Sequence, residues 1–335
     1  MRSVDELEQR LSQPSPALIA ELGALDGDIL VLGAGGKLGP SLVRLALGAA
    51  QGKKKIIAVS RFGDAALAEA LRCEGAEIVS ADITDDAALA ALPEVKNVIF
   101  LVGSKFGSTG REAETWYTNA YLPGRVADRY RSSRIVALST GNVYPFTPIG
   151  SGGPTEDDPT GPVGEYAMSC LGRERVLTRF AQKHQTKLAL IRLNYAVEMR
   201  YGVLVDIGRK VRAGEPVDVA MAAVNVVWQG YANEVILRAL GHATPDPFVL
   251  NLAGPETLSV RQLARAFGAA AGVEPHFTGT EASAALLSNS AKCMRLFGYP
   301  DVSPAELIEW TSAWLAAGLP LLDKPTGFQK RDGKF

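Results

Sequence analysis

A doubly wound α/β fold, a parallel sheet with helices on both faces, is what this sequence predicts, and three observations predict it. Short apolar runs alternate with helical stretches between residues 28 and 193. The runs are apolar throughout rather than alternately apolar and polar, as strands buried on both faces must be. The first run stops in a glycine-rich segment, Gly33–Ala34–Gly35–Gly36–Lys37–Leu38–Gly39, which opens a helix.

The elements follow in order. Leu7, Leu11, Leu18, Ile19 and Leu22 recur at helical spacing around the Pro14–Ser15–Pro16 turn, so residues 1–27 read as a helical extension packed on the outside. Strands are expected at Asp28–Leu32, Ile56–Val59, Glu77–Val79, Asn97–Val102, Arg134–Leu138 and Leu188–Leu193. Helices are expected through Leu42–Leu47, then at Ala65–Leu71, Ala87–Leu92, Glu112–Tyr130 and Tyr166–Gln182. Strict alternation of this kind argues a parallel sheet. After Tyr195 the pattern loosens into helices at Gly202–Ala213, within Val224–Leu240, at Ser259–Gly272 and at Ser303–Ala317, with a strand at Phe248–Leu252. The expected division is therefore an extension at 1–27, a sheet domain at 28–195 and a smaller C-terminal lobe at 196–335, with some lobe segments returning to the sheet domain. Pro145–Gly164 is a long loop, of the kind that is usually functional or mobile. The tail Lys324–Phe335, polar and punctuated by glycine and proline, is expected to lie extended across the surface.

Composition narrows the function classes. Hydrophobic residues make up 47% of the 335 and charged residues 21%, enough for a sizeable core. A formal net charge of −1 gives no basic face for nucleic acid or an anionic membrane, and Lys53–Lys54–Lys55 reads as a solvated turn. No apolar run approaches the roughly 20 residues that span a bilayer. Asp5, Glu6, Glu8 and Glu21 are not the make-up of a targeting peptide. Cys73, Cys170 and Cys293 show neither disulfide nor metal-ligand spacing, and His184, His242 and His276 form no metal or triad pattern. A cytoplasmic protein acting on a small molecule, without bound metal, is expected.

The glycine segment carries the first chemistry. A tight strand-to-helix turn needs residues tolerant of positive φ, a diphosphate needs close backbone approach, and a helix N-terminus offers N–H donors and a positive dipole end. Glycines at 33, 36 and 39, between the first strand and first helix of an alternating chain, therefore read as a dinucleotide cradle in a Rossmann-like domain. Gly35, Lys37 and Leu38 complete it.

The G-x-x-G-x-x-G spacing resembles the extended short-chain dehydrogenase/reductases, the NAD-dependent epimerase/dehydratase family, and further segments share the resemblance. Asp82, beside Ile83, looks like the acidic residue that follows the third strand and touches adenine. Asn119 sits in the fourth helix, where the family often has asparagine. Ser139–Thr140–Gly141–Asn142–Val143–Tyr144 is similar to the family's Ser-Ser-x-x-Val-Tyr segment, and Tyr166 follows Thr140 by 26 residues, close to the family's separation of Ser/Thr and Tyr. Arg192–Leu193–Asn194–Tyr195 looks like the segment leading into the substrate lobe. Covering about residues 28–275, the resemblance implies a nicotinamide cofactor held by these residues with Val102, Leu138 and Tyr166, chemistry by Thr140 and Tyr166, and a homodimer through the helices at 112–130 and 166–182.

Two positions depart from the family's pattern. The second strand ends Val59–Ser60–Arg61, where an NAD-preferring relative places an acid. Arginine there suits a ribose 2′-phosphate, so NADP is preferred over NAD, the alternative being an Arg61 that stacks on adenine or faces solvent. In the family's Tyr-x-x-x-Lys unit the lysine position holds Cys170. A phenol of pKa about 10 relies on a nearby cation to ionise near neutrality. Three accounts stay open: Arg173, seven residues beyond Tyr166, substitutes as the cation; Tyr166 works neutral, donating a proton while Thr140 polarises the oxygen; or the chain binds a dinucleotide without turning it over. Cys170 itself reads as a small buried hydrophobe. Glu165, Glu198 and Arg200 are further candidates for polar contacts, and Trp228 and Gln229 fall where relatives often carry an aspartate. The expected function is NAD(P)-dependent oxidoreductase or epimerase chemistry on a hydroxyl or carbonyl of a sugar-like or polyol substrate; the alternative is a non-catalytic dinucleotide sensor or scaffold.

Overall fold

The computed structural model describes residues 1–335 apart from Phe106, Ser108, Pro325 and Phe335. Its central sheet has seven strands: β1 (Ile29–Leu32), β2 (Ile56–Ser60), β3 (Glu77–Ser80), β4 (Asn97–Phe100), β5 (Arg134–Thr140), β6 (Lys187–Leu193) and β7 (Phe248–Leu252). Their order is β7-β6-β5-β4-β1-β2-β3, and every pairing is parallel. The chain winds outward from β1 through β2 to β3, then crosses back and winds outward from β4. Loops leaving the carboxyl ends of β1 and β4 therefore diverge, and that divergence opens a crevice. β1 and β4 are buried along their whole length, which is why their sequences carry no polar alternation.

Helices α1 (Val4–Leu11) and α2 (Pro16–Ala24) precede the sheet, capped by Ser3 and Ser15. Their leucines 7, 11, 18 and 22 are at most 1% exposed, so the extension belongs to the core. Each such burial contributes about 1.5–3 kcal/mol. Both helices pack on α3 (Gly39–Ala50). The remaining connections carry α4 (Ala65–Cys73), α5 (Asp86–Ala91), α6 (Glu112–Trp116), α7 (Leu122–Arg129) and α8 (Glu165–His184). Beyond β6 come α9 (Val203–Arg212), α10 (Gln229–Arg238), α11 (Val260–Ala271), α12 (Ala291–Phe297) and α13 (Pro304–Ala316). Ser259 and Ser303 cap α11 and α13, the latter in a full capping box with Glu306.

Three differences from the sequence reading have physical causes. The helix expected over Glu112–Tyr130 is interrupted by a π turn at Tyr117–Tyr121. Pro123 lacks an N–H, so the Asn119 carbonyl has no partner four residues on; Arg173 Nε supplies one at 3.0 Å. Helix α12 was not expected, because its buried face is only Cys293, Met294 and Phe297. The tail is not merely draped outside. Thr326 and Phe328 are 5% and 7% exposed. Asp206 Oδ2 accepts from the Thr326 amide at 2.8 Å and its hydroxyl at 2.6 Å.

Candidate active site

The crevice begins at the glycine loop. Gly33 takes φ +93°, a conformation side chains rarely adopt, and its amide and that of Ala34 reach Val59 O at 2.9 and 3.1 Å. Gly39 starts α3 so close to the loop that a Cβ there would lie 2.2 Å from Ala34 O. No side chain caps α3 among the described residues, so its first turn presents bare backbone and the positive end of its dipole. A cradle of backbone and glycine, with no side chain filling it, fits a dinucleotide diphosphate.

Two cavities leave this loop. One, of about 500 Å³, is lined by Gly33, Gly35, Gly36, Ser60, Arg61, Asp82, Ile83 and Val102. The other, of about 330 Å³, is lined by Lys37, Leu38, Leu138, Thr140, Tyr166 and Arg173. Leu101 and Gly103 line both, so the two adjoin at the end of β4. A larger groove of about 1110 Å³ between α1, α3 and the Lys53–Lys55 turn contains none of these residues and is edged by exposed charges. Every residue expected at the cofactor or the chemistry thus lines one of the two adjoining cavities, except Gly39 and Asn119.

Asn119 is fully buried and works at one remove. Its Oδ1 accepts from Ser104 N at 2.8 Å and Arg173 Nη2 at 3.0 Å, while its Nδ2 donates to Ser104 O at 2.8 Å and Ser169 Oγ at 3.0 Å. Those four bonds use the whole amide and pin the segment after β4. Arg173 is also committed: Nε and Nη2 go to Asn119 and Nη1 to Leu138 O at 2.5 Å. It braces the ends of β4 and β5 as well as lining the cavity. Gly103 makes room, since a Cβ there would lie 2.9 Å from Arg173 Nη2.

At the end of β5, Thr140 Oγ1 is 3.0 Å from Asn142 Oδ1 and accepts from Asn142 N at 3.2 Å. Thr140 also hydrogen-bonds the Tyr166 hydroxyl. Burial pushes the Tyr166 phenol well above its usual range, reinforced by Cys170 and only partly opposed by Thr140 and Arg173. Cys170 is 1% exposed, packed on Val143 and Tyr144, with its thiol also raised by burial. A second cation lies over the Tyr166 ring. Lys105 Nζ, from the segment after β4, lies 5.7 Å from the Tyr166 ring centre. Burial lowers the Lys105 ammonium to about 8. Lys37 enters the same cavity with Nζ 3.1 Å from the Tyr201 ring centre, and burial, then Lys105, bring it down to about 7.

Sequence reasoning missed Lys105, Asn142, Asn194, Tyr201 and Thr326 as cavity residues. It also missed Tyr195, whose φ of +47° is rare for a bulky side chain and recurs at functional sites. Most of the other candidates lie elsewhere. Glu198 and Arg200 pair with each other at 3.1 Å, and Arg200 also with Glu8 at 2.5 Å; they tie the extension to the lobe and do not line the cavity. Glu165 accepts from Trp116 Nε1 at 2.6 Å. Trp228 packs edge-on against Trp310 in the core, while Gln229 lines the cavity and donates to Ser41 Oγ at 3.0 Å. His184 is not simply solvated, with Nε2 3.7 Å from Asp128 and its side chain 18% exposed. Among the described residues no group of three or more His, Cys, Asp or Glu could hold a metal, and no helix is long and apolar enough to cross a membrane.

Comparison with known proteins agrees with this fold. No curated protein matches the sequence. Among solved structures, a dTDP-glucose 4,6-dehydratase from Streptomyces venezuelae, with NAD bound, superposes with TM-score 0.74 at 19% identity, over 86% of this chain and 97% of that one. Pal from Bacillus thuringiensis superposes with TM-score 0.73 at 18% identity, over 87% and 99%. The UDP-glucose 4-epimerase of Thermus thermophilus, also with NAD, gives 0.70 at 20% identity, over 85% and 97%. At such identities the likeness is one of fold. The family model for the NAD-dependent epimerase/dehydratase family matches residues 29–197, half of the chain and all of the glycine loop, β5 and the Tyr166 segment. The chain belongs to the NAD-dependent epimerase/dehydratase family, a family of enzymes.

Proposed function

We propose that this protein is an NAD(P)-dependent oxidoreductase or epimerase acting on a hydroxyl or carbonyl of a sugar-like or polyol substrate. The observation that supports this best is the Tyr166 hydroxyl bonded to Thr140 in a cavity that Lys37 and Leu38 of the glycine loop also line. Gly33, Gly35, Gly36 and the start of α3 would hold the diphosphate, with Asp82 and Ile83 at the adenosine end. When bound, the nicotinamide accepts or returns a hydride. Tyr166 supplies the proton: kept neutral by burial, its O–H is poised to donate to an oxygen gaining negative charge, and Thr140 orients that O–H. Arg173 favours the ionised phenol and Lys105 lies 5.7 Å from its ring centre, so these cations stand where a lysine at position 170 would otherwise serve. A neutral phenol favours the reductive direction at neutral pH, because the oxidative direction first requires its deprotonation.

Arg61 lines the adenosine end, its side chain 80% exposed and 3.9 Å from Asp82, and so is free to swing toward a ribose 2′-phosphate. This supports NADP over NAD. Fluorescence titration with NADPH and NADH should show tighter binding of NADPH, and Arg61→Asp should reverse the order. In a spectrophotometric screen of sugars and polyols, Tyr166→Phe should lower any turnover at least about a hundredfold, the usual scale of general acid–base catalysis. Retained activity would remove Tyr166 from the chemistry.

The buried thiol at 170 favours a second reading, a dinucleotide-binding sensor that does not turn its ligand over. Cys170→Lys separates the two. Turnover appearing only in that variant supports the sensor, whereas turnover already present in the natural chain supports the enzyme.

A further inference from the structure

We infer that the C-terminal tail, residues 326–333, sets the size of the substrate. As the far wall of the Tyr166 cavity it admits a compact sugar-like or polyol molecule and excludes one carrying a nucleotide or a second sugar. The inference rests on the proposed reading of the site and adds a size limit to its substrate class.

The tail takes the space next to the Tyr166 cavity. Thr326 lines that cavity directly, and Asp206 on α9 accepts from its amide and its hydroxyl. Lys105, Asn142 and Tyr195 line both the cavity and a neighbouring hollow of about 20 Å³. Gly327, Phe328 and Gly333 close that hollow, and what is left holds about one water. No described residue of the glycine loop lines it, so the tail shuts the end away from the dinucleotide cradle. The cavity that remains, about 330 Å³, is near the lower limit of roughly 300–1,000 Å³ for pockets that enclose a whole ligand. The nicotinamide end of the cofactor must share it, so little more than one sugar ring or a short polyol fits beside Tyr166.

The seat of the tail is specific. Phe328 is 7% exposed and joins the core. The Arg331 guanidinium lies 4.3 Å from the Phe146 ring centre and donates to Ala284 O at 2.7 Å. Gly333 and Gly164 cross backbone to backbone: both take positive φ, and a Cβ on Gly164 would lie 2.4 Å from Gly333 O. Gly164 is the N-cap of α8, just before Tyr166. The end of the tail is thereby held against the start of the helix that carries the phenol. A ligand extending beyond the cavity has to strip Phe328 from the core and break the bonds of Thr326 to Asp206. A compact ligand leaves both intact, so the penalty discriminates by size.

The test is saturation-transfer NMR of glycerol, xylitol, glucose, sucrose and UDP-glucose, with and without NADPH, on the full chain and on the chain ended after Leu321. The full chain should take up the compact probes and neither sucrose nor UDP-glucose. The shortened chain should gain sucrose or UDP-glucose, binding it at least about tenfold more tightly than the full chain does. That gain supports the inference whichever of the compact probes the full chain takes. Should the shortened chain lose its circular dichroism, the full-length variant Phe328→Ala/Gly333→Val, which unseats the tail without removing it, replaces it. A sucrose or UDP-glucose signal from the full chain equal to that of glucose overturns the inference. So does a tail-free or tail-released protein that gains neither, including the case in which no probe reaches either protein. The fluorescence of NADPH reports cofactor binding separately. Its failure to bind, with the gain on shortening intact, removes the dinucleotide reading and leaves the tail as the wall.

Discussion

Lys37 serves two demands at once. Its backbone belongs to the turn that fits a diphosphate, and its side chain enters a cavity where burial and Lys105 bring its ammonium down to about 7 from 10.5. Below pH 7 the ammonium is charged in both the folded and the unfolded chain, and the folded chain bears the full cost of burying it. Between pH 7 and 10.5 the unfolded chain holds a proton that the folded chain has released, so stability rises with pH and the cost fades. Lys37→Met should therefore stabilise the protein at pH 6 by about 1–2 kcal/mol, after discounting for its partial exposure and the lost contact with Tyr201. The gain should disappear near pH 10.5. Thermal melts of both proteins across that range check this, and a gain that grows with pH would contradict it.

At the scale of elements, the break between α6 and α7 is a designed joint. Pro123 leaves the Asn119 carbonyl without its helical donor, and Arg173 from α8 fills the gap while its other nitrogens reach the Asn119 side chain and Leu138 O. One guanidinium thus fastens the π turn and the end of β5 and, through Asn119, the segment bearing Lys105. Arg173→Met keeps much of the volume but strands two carbonyls and an amide oxygen in a buried place, where each unsatisfied group costs about 1–3 kcal/mol. A loss of about 3–5 kcal/mol is expected in denaturant unfolding. Arg173→Lys should recover only part of it, since one ammonium cannot span the three acceptors. Resemblance to the family's segments pointed to Thr140 and Tyr166, and seven-residue spacing on one helix pointed to Arg173; all three line one cavity. It did not disclose Lys105, which lies in an irregular segment with no periodicity, placed by Asn119 from a different helix. Equally invisible was the role of Arg173 as a brace, which depends on what Pro123 withholds 50 residues earlier in the chain.

At the scale of the whole molecule, the parallel sheet with helices on both faces was legible, because uniformly apolar runs suit strands covered on both faces. The course of the tail was not, because a polar, glycine-punctuated segment has no pattern that distinguishes a surface path from one folded into a cleft. Here Thr326 lines the cavity at Tyr166, Phe328 joins the core, and Gly333 approaches Val163 so closely that a Cβ would lie 2.4 Å from its carbonyl oxygen. The tail therefore forms a wall of the smaller cavity and touches the entry to α8, yet contributes nothing to the sheet. Ending the chain after Leu321 should leave the sheet folded, with unchanged far-ultraviolet circular dichroism. Stability should fall by about 2–5 kcal/mol, from exposing Phe328 and leaving the half-buried Asp206 without Thr326. Dinucleotide affinity should stay within about twofold, since no described tail residue lines the adenosine cavity. Loss of dinucleotide binding in a truncated protein that still shows the full circular dichroism would mean that the tail holds the glycine loop as well, and that the two cavities are coupled rather than merely adjoining.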